Sequence, residues 1–576
     1  MTTDKRSVQA LVQICHERGL RDVVFSPGSR NAPLVIAFSE HGGYTTRVVA
    51  DERVAAFYAL GQGLATGIPT VICCTSGTAG LNYAPAIAEA YYQEVPMLIL
   101  TADRPVEFID MGLGQSMRQK DMYHNYIKQS DQISQAATTQ QDLIANEKVI
   151  RASIAASQLQ PRGPVHINMP FSEPLYGKGE VQALLTTHEE KITEKELDAG
   201  MMDEISVLWQ SSKRKMILLG QHEVDARLIT LLDRLVSTNQ VVLLTETTSN
   251  FHSTVSQNVI SCIDKVLAVA YEDAGCTPDL LVSLGGAVVS KRIKSYLTEN
   301  KPEHHIICCH TEIPRDTFRA MTHHVRMDSE ALMEVLVSEK SENKTSYNQR
   351  WQAYRQATET QHKQLVVQSP FSDLKVFNYI LSQLSLCVLH MANSTPIRYA
   401  QLFENKSLNP YYCNRGVCGI DGSTSTALGY ASKSDKLNVL ITGDVSFFYD
   451  SNAFWINELP KNLKLILINN GGGNIFRYIG GPDTSNQLNV FESPHNLRAE
   501  HLCKLYDLSY HIVTSYGELA VTYPEFIKDT AGRIQLLEII TPGKINAEVL
   551  RDYFDQLKVL PLLSSEDSVF QVDKTP

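Results

Sequence analysis

The stretch Asn438-Val-Leu-Ile-Thr-Gly-Asp444 is a short apolar run with an acidic residue directly behind it. A second run, Leu463-Lys-Leu-Ile-Leu-Ile-Asn-Asn470, ends on two asparagines and leads into three glycines. The interval between Asp444 and Asn470 has the length of one crossover helix plus one strand, so the two runs are predicted to be parallel strands of one sheet. Their polar ends then meet at the carboxyl edge of that sheet, where doubly wound α/β folds bind ligands.

The same alternation of β-rich runs and helical patterns continues outward from these strands and forms three blocks. The predicted strands of the first block are Asp22–Phe25, Thr46–Val49, Thr70–Cys74, Met97–Leu100 and Pro164–Ile167. Those of the second block are Lys215–Leu219, Val241–Thr245, Leu280–Leu284 and His305–Cys309. The third block adds Cys387–Leu389 and Gln535–Ile540 to Asn438–Thr442 and Leu463–Ile468. We therefore predict an α/β protein with three doubly wound parallel-sheet domains, at residues 1–182, 195–340 and 365–560, separated by charged stretches at 188–196 and 338–346.

The composition limits the class of protein. With 576 residues, of which 43% are hydrophobic and 20% charged, the chain is an ordinary globular protein that is too long for one core. A net charge of −11 argues against a nucleic-acid partner, which requires a basic face. The cysteines have no regular spacing, the N-terminus lacks a signal-peptide pattern, and no apolar run is long enough to span a membrane. These features predict a soluble protein of the cytoplasm.

Asp444 and Asn470 offer oxygen ligands of the kind that Mg²⁺ or Mn²⁺ prefers in proteins. The glycines at 471–473 allow the backbone to approach closely, and the carbonyl of Gly472 is a third candidate ligand. A cation at this edge would neutralise the charge of a bound diphosphate. The alternative is that Asp444 caps the next helix and that the asparagines and glycines only form a turn. The pairing of the two residues at this interval favours the metal site.

Two further stretches place polar side chains at the starts of helices. Asn393-Ser-Thr-Pro396 follows the strand Cys387–Leu389 and has its proline in the first helical turn. Ser26-Pro-Gly-Ser-Arg30 follows the strand Asp22–Phe25 and brings an arginine to the edge of the first sheet. The free N–H groups and the dipole of a helix start favour anions, although both stretches are also compatible with simple helix caps.

Glu52 lies where the apolar run Val48-Val-Ala50 gives way to the helical pattern Val54-Ala-Ala-Phe-Tyr-Ala-Leu60. Together with a diphosphate site, a carboxylate in this place predicts thiamine chemistry, in which it contacts the aminopyrimidine ring. The carboxylate promotes the imino tautomer, whose nitrogen removes the proton from C2 of the thiazolium ring. The alternative is an ordinary glutamate in a first helical turn, with Asp51 as the cap.

Several motifs occur in an order that identifies a family. They are Ser26-Pro-Gly-Ser-Arg-Asn-Ala-Pro-Leu34, Asp51-Glu-Arg-Val-Ala-Ala-Phe57, Thr75-Ser-Gly-Thr-Ala79, Thr101-Ala-Asp-Arg-Pro105, Gly114-Gln-Ser-Met-Arg-Gln119 and Asn414-Arg-Gly-Val-Cys-Gly-Ile-Asp-Gly422. With the pair Asp444 and Asn470, this set resembles the 2-succinyl-5-enolpyruvyl-6-hydroxy-3-cyclohexene-1-carboxylate synthases, which are thiamine-diphosphate enzymes of menaquinone biosynthesis. The resemblance covers both outer blocks and reaches the central block at Ser290-Lys-Arg292.

The resemblance implies a pyrimidine-binding domain, a central domain and a diphosphate-binding domain, in that order along the chain. It implies that the chain associates with itself, as a homodimer or homotetramer, and that the glutamate of one subunit faces the diphosphate bound by another. The implied reaction is the decarboxylation of 2-oxoglutarate to a thiamine-bound succinyl carbanion equivalent, which adds 1,4 to isochorismate. Both substrates are dianions, so cationic residues are required, and the fork of arginine suits carboxylates.

The resemblance also implies roles for individual residues. Those that match family positions for isochorismate are Arg30, Arg104, Gln115 and Lys291. Those that match positions near the succinyl carboxylate are Ser394, Arg398 and Arg415. The implied cofactor contacts are Glu52, Ser394, Asp444 and Asn470, with Ile420 as the support of the bent cofactor and Ile475 and Phe476 as the apolar lining near the thiazolium. Taken singly, the arginines and Lys291 could also be ordinary surface residues.

Departures from the family pattern concern the cofactor loop and the substrate pocket. Thiamine enzymes generally carry Gly-Asp-Gly where this chain has Gly443-Asp-Val445, and Asn31 stands where serine or threonine is frequent. Two alternative functions are another thiamine-dependent 2-oxo acid decarboxylase or synthase, and a non-catalytic member of the fold. The arginine, glutamine and lysine set argues against the first, because simple decarboxylases protonate their carbanion with acidic or histidine residues. The presence of Glu52, Asp444 and Asn470 argues against the second.

Overall fold

A computed structural model of the chain describes residues 1–134, 137–187, 199–252, 258–339, 346–405, 409–479, 481–528 and 532–560. Three six-stranded sheets with flanking helices follow one another along the chain, as predicted from the alternating pattern. The predicted linker at 188–196, the predicted start of the central domain at residue 195 and most of the charged stretch at 338–346 lie outside the described residues.

The first sheet is preceded by β1 (Thr2–Thr3), which forms a separate antiparallel ribbon with β8 (Lys178–Gly179). The strands of the sheet itself are β2 (Asp22–Phe25), β3 (Thr45–Val48), β4 (Thr70–Cys74), β5 (Met97–Asp103), β6 (Gln129–Gln132) and β7 (Pro164–Pro170). They lie in the order β3-β2-β4-β5-β7-β6, and their pairings are parallel. The winding of the chain therefore reverses between β2 and β4.

The central and third sheets are also parallel and doubly wound. The central strands are β9 (Lys215–Leu219), β10 (Val241–Thr245), β11 (Val259–Ile260), β12 (Leu280–Leu284), β13 (His304–Cys308) and β14 (His323–Val325), in the order β11-β10-β9-β12-β13-β14. The third sheet contains β15 (Val388–Met391), β16 (Tyr411–Tyr412), β17 (Asn438–Gly443), β18 (Leu463–Asn469), β19 (Ser509–Val513) and β20 (Gln535–Ile540). Its order, β16-β15-β17-β18-β20-β19, repeats the arrangement of the first sheet.

Helices connect and cover the strands. The α-helices of the described residues are α1 (Arg6–Glu17), α2 (Ala32–Glu40), α3 (Glu52–Thr66), α4 (Thr78–Asn82), α5 (Ala84–Gln93), α6 (Gln140–Gln158), α7 (Ala199–Ser211), α8 (Ala226–Ser237), α9 (Ile263–Ala270), α10 (Lys291–Glu299), α11 (Ser329–Ser338), α12 (Tyr347–Gln368), α13 (Asp373–Gln383), α14 (Thr395–Ala400), α15 (Ser423–Ala431), α16 (Asp444–Tyr449), α17 (Leu488–Glu492), α18 (Glu500–Leu505), α19 (Tyr516–Lys528) and α20 (Gly543–Lys558). Short 3-10 turns are Val106–Phe108, His124–Tyr126, Thr247–Ser249, Ala274–Cys276, Ser451–Phe454, Asn474–Arg477 and Pro482–Ser485. Within the described ranges, no helix has both the length and the apolar content needed to cross a membrane.

The apolar runs of the sequence predicted the interior strands and β3, and missed the other five edge strands of the three sheets in the described residues. β2, β4, β9, β10, β12 and β20 begin and end at the predicted residues, and β5, β7, β17 and β18 extend further than predicted. β3, β13 and β15 each begin one residue away from the prediction. The unpredicted strands β6, β11, β14, β16 and β19 all lie at an edge of their sheet. An edge strand pairs on one side only and is often short or polar, so its apolar signal is weak.

The register of the third sheet determines where its polar loops meet. β17 and β18 are parallel neighbours, as the opening stretch predicts, and Gly443 lies beside Ile468. β15 lies on the other side of β17, and the winding of the chain reverses between these two strands. Loops that leave β15 and β17 therefore open a crevice at the carboxyl edge of the sheet. Ser394 follows β15 and Asp444 follows β17, so both belong to this crevice.

The first and third domains are joined by α3 and α15, which cross at very close range. A Cβ atom at Gly61 would lie 2.0 Å from the carbonyl oxygen of Thr426, and one at Gly429 would lie 1.9 Å from that of Tyr58. Glycine is therefore required at both positions, because any side chain would push the helices apart. α3 begins at Glu52, so this crossing fixes the predicted activating glutamate relative to the third sheet.

Candidate active site

Asp444 connects the end of β17 to the loop that follows β18. Its Oδ2 accepts hydrogen bonds from the backbone N–H groups of Asn470, Gly471 and Gly472, at 3.1, 2.8 and 3.0 Å. Its Oδ1 accepts one from the N–H of Val445 at 2.7 Å. The side chain is 2% exposed, and burial raises its pKa because the charged form loses its hydration. The carboxylate thus organises the Asn-Gly-Gly loop, which is more than a helix cap or a turn requires.

The side chain of Asn470 is oriented by a second buried carboxylate, that of Asp373. Nδ2 of Asn470 donates to Oδ2 of Asp373 at 3.0 Å, and a carboxylate can only accept, so the amide nitrogen must face it. Asp373 is 1% exposed, and its Oδ1 accepts from Oγ1 of Thr541 at 2.6 Å. Burial raises the pKa of Asp373 to about 6, and the charge of Asp444 adds to that effect. Oδ1 of Asn470 is then buried without a hydrogen-bond partner among the described residues.

These oxygen atoms fit a divalent cation. Asp444 supplies negative charge and Asn470 supplies a free amide oxygen, which is costly to bury unless a ligand pairs with it. The carbonyl of Gly472 accepts the N–H of Asn474 at 2.9 Å and retains a second lone pair. His495, which the sequence did not predict, has its Nε2 3.5 Å from Oδ2 of Asp444. The donor set is the oxygen-rich one that magnesium and manganese prefer.

The candidate substrate residues of the first domain converge at the carboxyl edge of the first sheet. Arg30 is 7% exposed, and its Nη1 lies 3.2 Å from a carboxylate oxygen of Glu173. Arg104 follows β5, and its Nη2 donates at 2.9 Å to the carbonyl of Gly114, the residue before Gln115. Nη1 of Arg30 also donates to the carbonyl of Phe171 at 3.1 Å, and the N–H of Phe171 binds the carbonyl of Asp103, the residue before Arg104. Burial and the charge of Arg104 lower the pKa of Arg30. The structure therefore brings these three predicted residues together.

The candidate residues of the third domain surround the start of α14. Ser394 has a φ of 73°, in the left-handed region that serine rarely adopts, and such strain is typical of functional loops. Arg415 is 6% exposed, and its Nη1 donates to Oδ1 of Asn393 at 2.8 Å. Arg398 is half-buried and its Nε is enclosed, and burial lowers its pKa against an opposing effect of Tyr478. Arg398 therefore does not lie on an exposed helix face, which was the ordinary alternative for this residue.

Lys291, from the central domain, shares a cavity of about 560 Å³ with Arg398. The cavity lies between the start of α10 and the last turn of α14, and α20 contributes further lining residues. Burial and the charge of Arg398 both lower the pKa of the Lys291 ammonium group. Nε of Arg398 and the phenol oxygen of Tyr478 are buried without a partner in the described part of the chain. Cationic side chains outnumber the carboxylates of Asp264 and Asp555 around this cavity, and together with the free hydroxyl group they fit an anionic ligand.

Glu52 begins α3 and is partly buried. Asp51 caps the helix, and its Oδ2 accepts from Nδ2 of Asn452 at 2.9 Å. Nη2 of Arg53 donates to the carbonyl of Tyr449 at 2.8 Å, so both neighbours of Glu52 bind the third domain. Burial is the main cause that raises the pKa of Glu52, and the charge of Asp51 adds to it. The protonated form of Glu52 is therefore more favourable than that of a surface glutamate.

The predicted apolar residues border the Asp444 loop, Ile420 through a hydrogen bond and Ile475 and Phe476 through their position in the chain. Ile420 is 37% exposed, and its carbonyl accepts from Oγ of Ser446 at 2.6 Å, which holds it beside α16. Ile475 and Phe476 belong to the 3-10 turn that directly follows the three glycines. An apolar side chain held at the surface of a crevice in this way is suited to contact a ligand.

Asn393 holds the loop that carries Arg415, a role that the sequence did not predict. It is 2% exposed, and its Nδ2 donates to the carbonyls of Asn414 and Gly419 at 2.6 and 2.7 Å. The only sequence signal was its position directly before Ser394. Its partners belong to a separate motif, so their contact could not be read from local spacing.

Glu89 supports the same loop from the first domain and was not predicted either. It lies on α5 and is 1% exposed. Its two carboxylate oxygens accept from the backbone N–H groups of Gly416 and Val417 at 2.6 and 2.8 Å, directly after Arg415. Burial raises the pKa of Glu89, although the two N–H groups and the charge of Arg415 oppose that change. A carboxylate of one domain thereby fixes a substrate-binding candidate of another.

We expect Glu89→Gln to weaken the placement of Arg415. Glutamine has a single acceptor oxygen, so one of the two loop N–H groups would face an NH₂ group and lose its partner. The expected cost to folding is about 1–3 kcal/mol, measured by urea denaturation. The KM for the substrate that Arg415 is predicted to bind should rise severalfold. Glu525→Gln, at an exposed residue, is the control, and an unchanged KM in the folded Glu89 variant would contradict the assigned role.

The chain is similar to known proteins over nearly its whole length. Residues 5–133 match the thiamine pyrophosphate enzyme N-terminal TPP binding domain. The 2-succinyl-5-enolpyruvyl-6-hydroxy-3-cyclohexene-1-carboxylate synthase of Flavobacterium johnsoniae is 39% identical over 560 residues, which cover 95% of this chain and 98% of that protein. Proteins of the same name from Christiangramia forsetii and Porphyromonas gingivalis are 38% and 36% identical, with 96% of this chain covered by each alignment. The alignments also cover 98% and 97% of those two proteins.

Proposed function

Because the chain belongs to the 2-succinyl-5-enolpyruvyl-6-hydroxy-3-cyclohexene-1-carboxylate synthase family, we propose that it decarboxylates 2-oxoglutarate and adds the succinyl unit 1,4 to isochorismate, in menaquinone biosynthesis. The chain is a transferase whose cofactor is thiamine diphosphate. The observation that carries the proposed reaction is the Asp444–Asn470 pair, with its unpaired buried oxygen, in the same domain as the arginines that line the anion cavity.

When bound, thiamine diphosphate supplies a carbon atom that takes up the 2-oxo acid and holds the electron pair left by carbon dioxide. Asp444, Asn470 and the carbonyl of Gly472 would hold a divalent cation, Mg²⁺ or Mn²⁺, against its diphosphate. Asp373 would keep the amide oxygen of Asn470 directed at that cation. The side chains that would support the cofactor and exclude water from it are Ile420, Ile475 and Phe476.

Glu52 would bind the ring nitrogen of the aminopyrimidine that lies opposite the exocyclic amine. A carboxyl group at that nitrogen shares a proton with it and so changes the basicity of the amine. Burial raises the pKa of Glu52, which favours this sharing, because the carboxyl group then holds its proton more firmly than a surface glutamate does.

The cationic residues would orient the two dianions. Arg398 and Arg415, with Ser394, would receive the distal carboxylate that becomes part of the succinyl unit. Buried guanidinium groups with unpaired Nε atoms are suited to this, since a carboxylate can accept from two N–H groups at once. The residues that would bind isochorismate are Arg30, Arg104, Gln115 and Lys291. Glu173 pairs with Arg30 in the free chain and would have to release it in part.

We also propose that the chain associates with itself, with the active site between subunits. Large apolar side chains are exposed beside the candidate site residues: Val48 is 53% exposed, Leu113 45% and Trp455 58%. Val48 precedes Glu52 and Leu113 precedes Gln115, so an interface on this face would cover both parts of the site. Each subunit would then offer its glutamate to the diphosphate of another.

The free cysteines and the net charge bear on the cellular compartment and on the kind of ligand that we propose. All eleven cysteines are free, and most are buried. Unpaired thiols are typical of a reducing compartment, so we place the enzyme in the cytoplasm. A net charge of −11 argues against a nucleic-acid partner, and the proposed ligands are small anions.

Single-turnover release of carbon dioxide from 2-oxoglutarate tests the proposed function. With thiamine diphosphate and Mg²⁺ present, slow release alone and fast turnover with isochorismate are expected, with the succinyl adduct as product. Arg398→Gln should slow both the basal and the stimulated release, because it weakens binding of the first substrate. Release that does not respond to isochorismate and gives succinic semialdehyde would instead identify a simple decarboxylase.

A further inference from the structure

We propose that Glu246 is a positioning residue, which holds the start of α10 so that Lys291 projects into the cavity that it shares with Arg398. This inference rests on the proposed function, since it assumes that Lys291 binds isochorismate. Glu246 belongs to none of the sequence motifs described above. It directly follows β10, in a turn of the central domain.

The carboxylate of Glu246 binds the two residues that directly precede Lys291. Oε2 accepts from the backbone N–H of Val289 at 2.6 Å, and Oε1 accepts from that of Ser290 at 2.7 Å. Both oxygen atoms are thus used, one for each N–H group. The side chain is 5% exposed, so water does not compete for these bonds. The backbone just before Lys291 is therefore fixed by Glu246.

Ser290 connects this fixed backbone to helix α10. Its Oγ accepts from the N–H of Ile293 at 3.1 Å and so caps α10, and it donates to Oδ1 of Asp264. Asp264 lines the same cavity as Lys291. The position and direction of the first helical turn, which carries Lys291, thus depend on the hydrogen bonds at Ser290.

The same turn also touches the helix that carries Arg398. The backbone N–H of Thr247, the residue after Glu246, donates to Oε1 of Gln401 at 3.0 Å. Gln401 is the C-terminal cap of α14, three residues after Arg398. The turn therefore contacts the support of Lys291 through the Glu246 side chain and that of Arg398 through the Thr247 backbone, and only the first contact depends on the carboxylate.

Burial disfavours the charged form of Glu246. Burial raises the pKa of Glu246 to about 7, and the charge of Asp264 adds to that effect. The N–H groups of Val289 and Ser290 and the charge of Arg415 act in the opposite direction. Burial lowers the pKa of Lys294, on the next turn of α10, and the charge of Glu246 acts against that change. The described side chains give Glu246 no ion pair at salt-bridge distance, so backbone N–H groups and the start of a helix stabilise its charge.

Glu246→Gln in the cofactor-loaded full chain tests the proposal. Glutamine keeps the shape but presents one N–H group of the loop with another donor. We expect the KM for isochorismate to rise roughly tenfold, while single-turnover release of carbon dioxide from 2-oxoglutarate stays within twofold. Glu299→Gln, at the other end of α10, is the matched control and should leave both values unchanged. If the glutamine variant does not fold, Glu246→Asp keeps the charge and allows the same measurements.

A double-mutant cycle separates positioning from a general structural role. In a Lys291→Ala background, Glu246→Gln should raise the KM for isochorismate no further, because the group that it positions is gone. Additive effects, or an equal loss of both partial reactions, would overturn the proposal. If Lys291→Ala alone leaves the KM for isochorismate unchanged, the assignment of Lys291 in the proposed function fails, and the positioning role built on it fails with it. An effect of Glu246→Gln confined to isochorismate in the native background, lost with Lys291→Ala, supports both.

Discussion

Replacing Glu52 by glutamine is expected to reduce the turnover of 2-oxoglutarate by roughly 10²–10⁴-fold, the range found for loss of a positioned acid–base group. Glutamine has nearly the same shape, so the start of α3 and its contacts with the third domain should remain. It cannot share a proton with the aminopyrimidine ring, and that step is required before either substrate reacts. The measurement is single-turnover release of carbon dioxide at saturating cofactor, because binding and chemistry are then separated.

The ordinary alternative for Glu52 makes a different prediction. If Glu52 interacted only with the dipole of α3, its replacement would lower the free energy of unfolding by about 0.3–1 kcal/mol and would leave the turnover of 2-oxoglutarate unchanged. Glu500 offers a matched control, since it also lies in the first turn of a helix and its side chain is 45% exposed. Glu500→Gln should keep full activity. Retention of more than a tenth of wild-type turnover in Glu52→Gln would reject the activating role.

The sequence could predict those parts of the site that follow interior strands. Asp444 and Asn470 come directly after apolar runs, and a run of that kind determines both the strand and the sheet edge at which it ends. The edge strands β6 and β16 lack such runs, because pairing on one side gives less reason to be apolar. The fold class therefore follows from local pattern, while the full width of each sheet does not.

The supporting carboxylates could not be predicted in this way. Glu89 binds a residue 327 positions away, Asp373 binds one 97 positions away, and Glu246 binds one 43 positions away. On a helix or beside a strand, each looks like an ordinary polar residue of the surface. Burial is decided by the packing of other segments, and burial is what turns these carboxylates into supports for the site. Their roles depend on three-dimensional contacts between segments that are distant in the chain.

Asp444→Asn is expected to weaken the binding of Mg²⁺ and thiamine diphosphate by more than about 100-fold. Even changes in groups that only orient a metal ligand cost about 10–100-fold in affinity, and Asp444 would be a ligand itself. Asparagine can still accept from the N–H groups of the loop through its oxygen, but it supplies no charge to the cation. Isothermal titration of the cofactor-free chain with thiamine diphosphate and Mg²⁺ gives the affinity directly.

The same substitution should leave the cofactor-free chain folded, which separates loss of binding from loss of structure. Asp444 and Asp373 are both buried carboxylates, and the charge of Asp444 is one cause of the raised pKa of Asp373. Removing that charge relieves a repulsion, which offsets the loss of one acceptor oxygen for the backbone N–H groups, so thermal unfolding without cofactor is expected within a few degrees of the wild-type temperature. Asp507→Asn is the control, since the side chain of Asp507 is 90% exposed. If Asp444→Asn binds the metal and cofactor within threefold of wild type, the cation does not lie between Asp444 and Asn470. In that case, the unpaired oxygen of Asn470 serves another ligand.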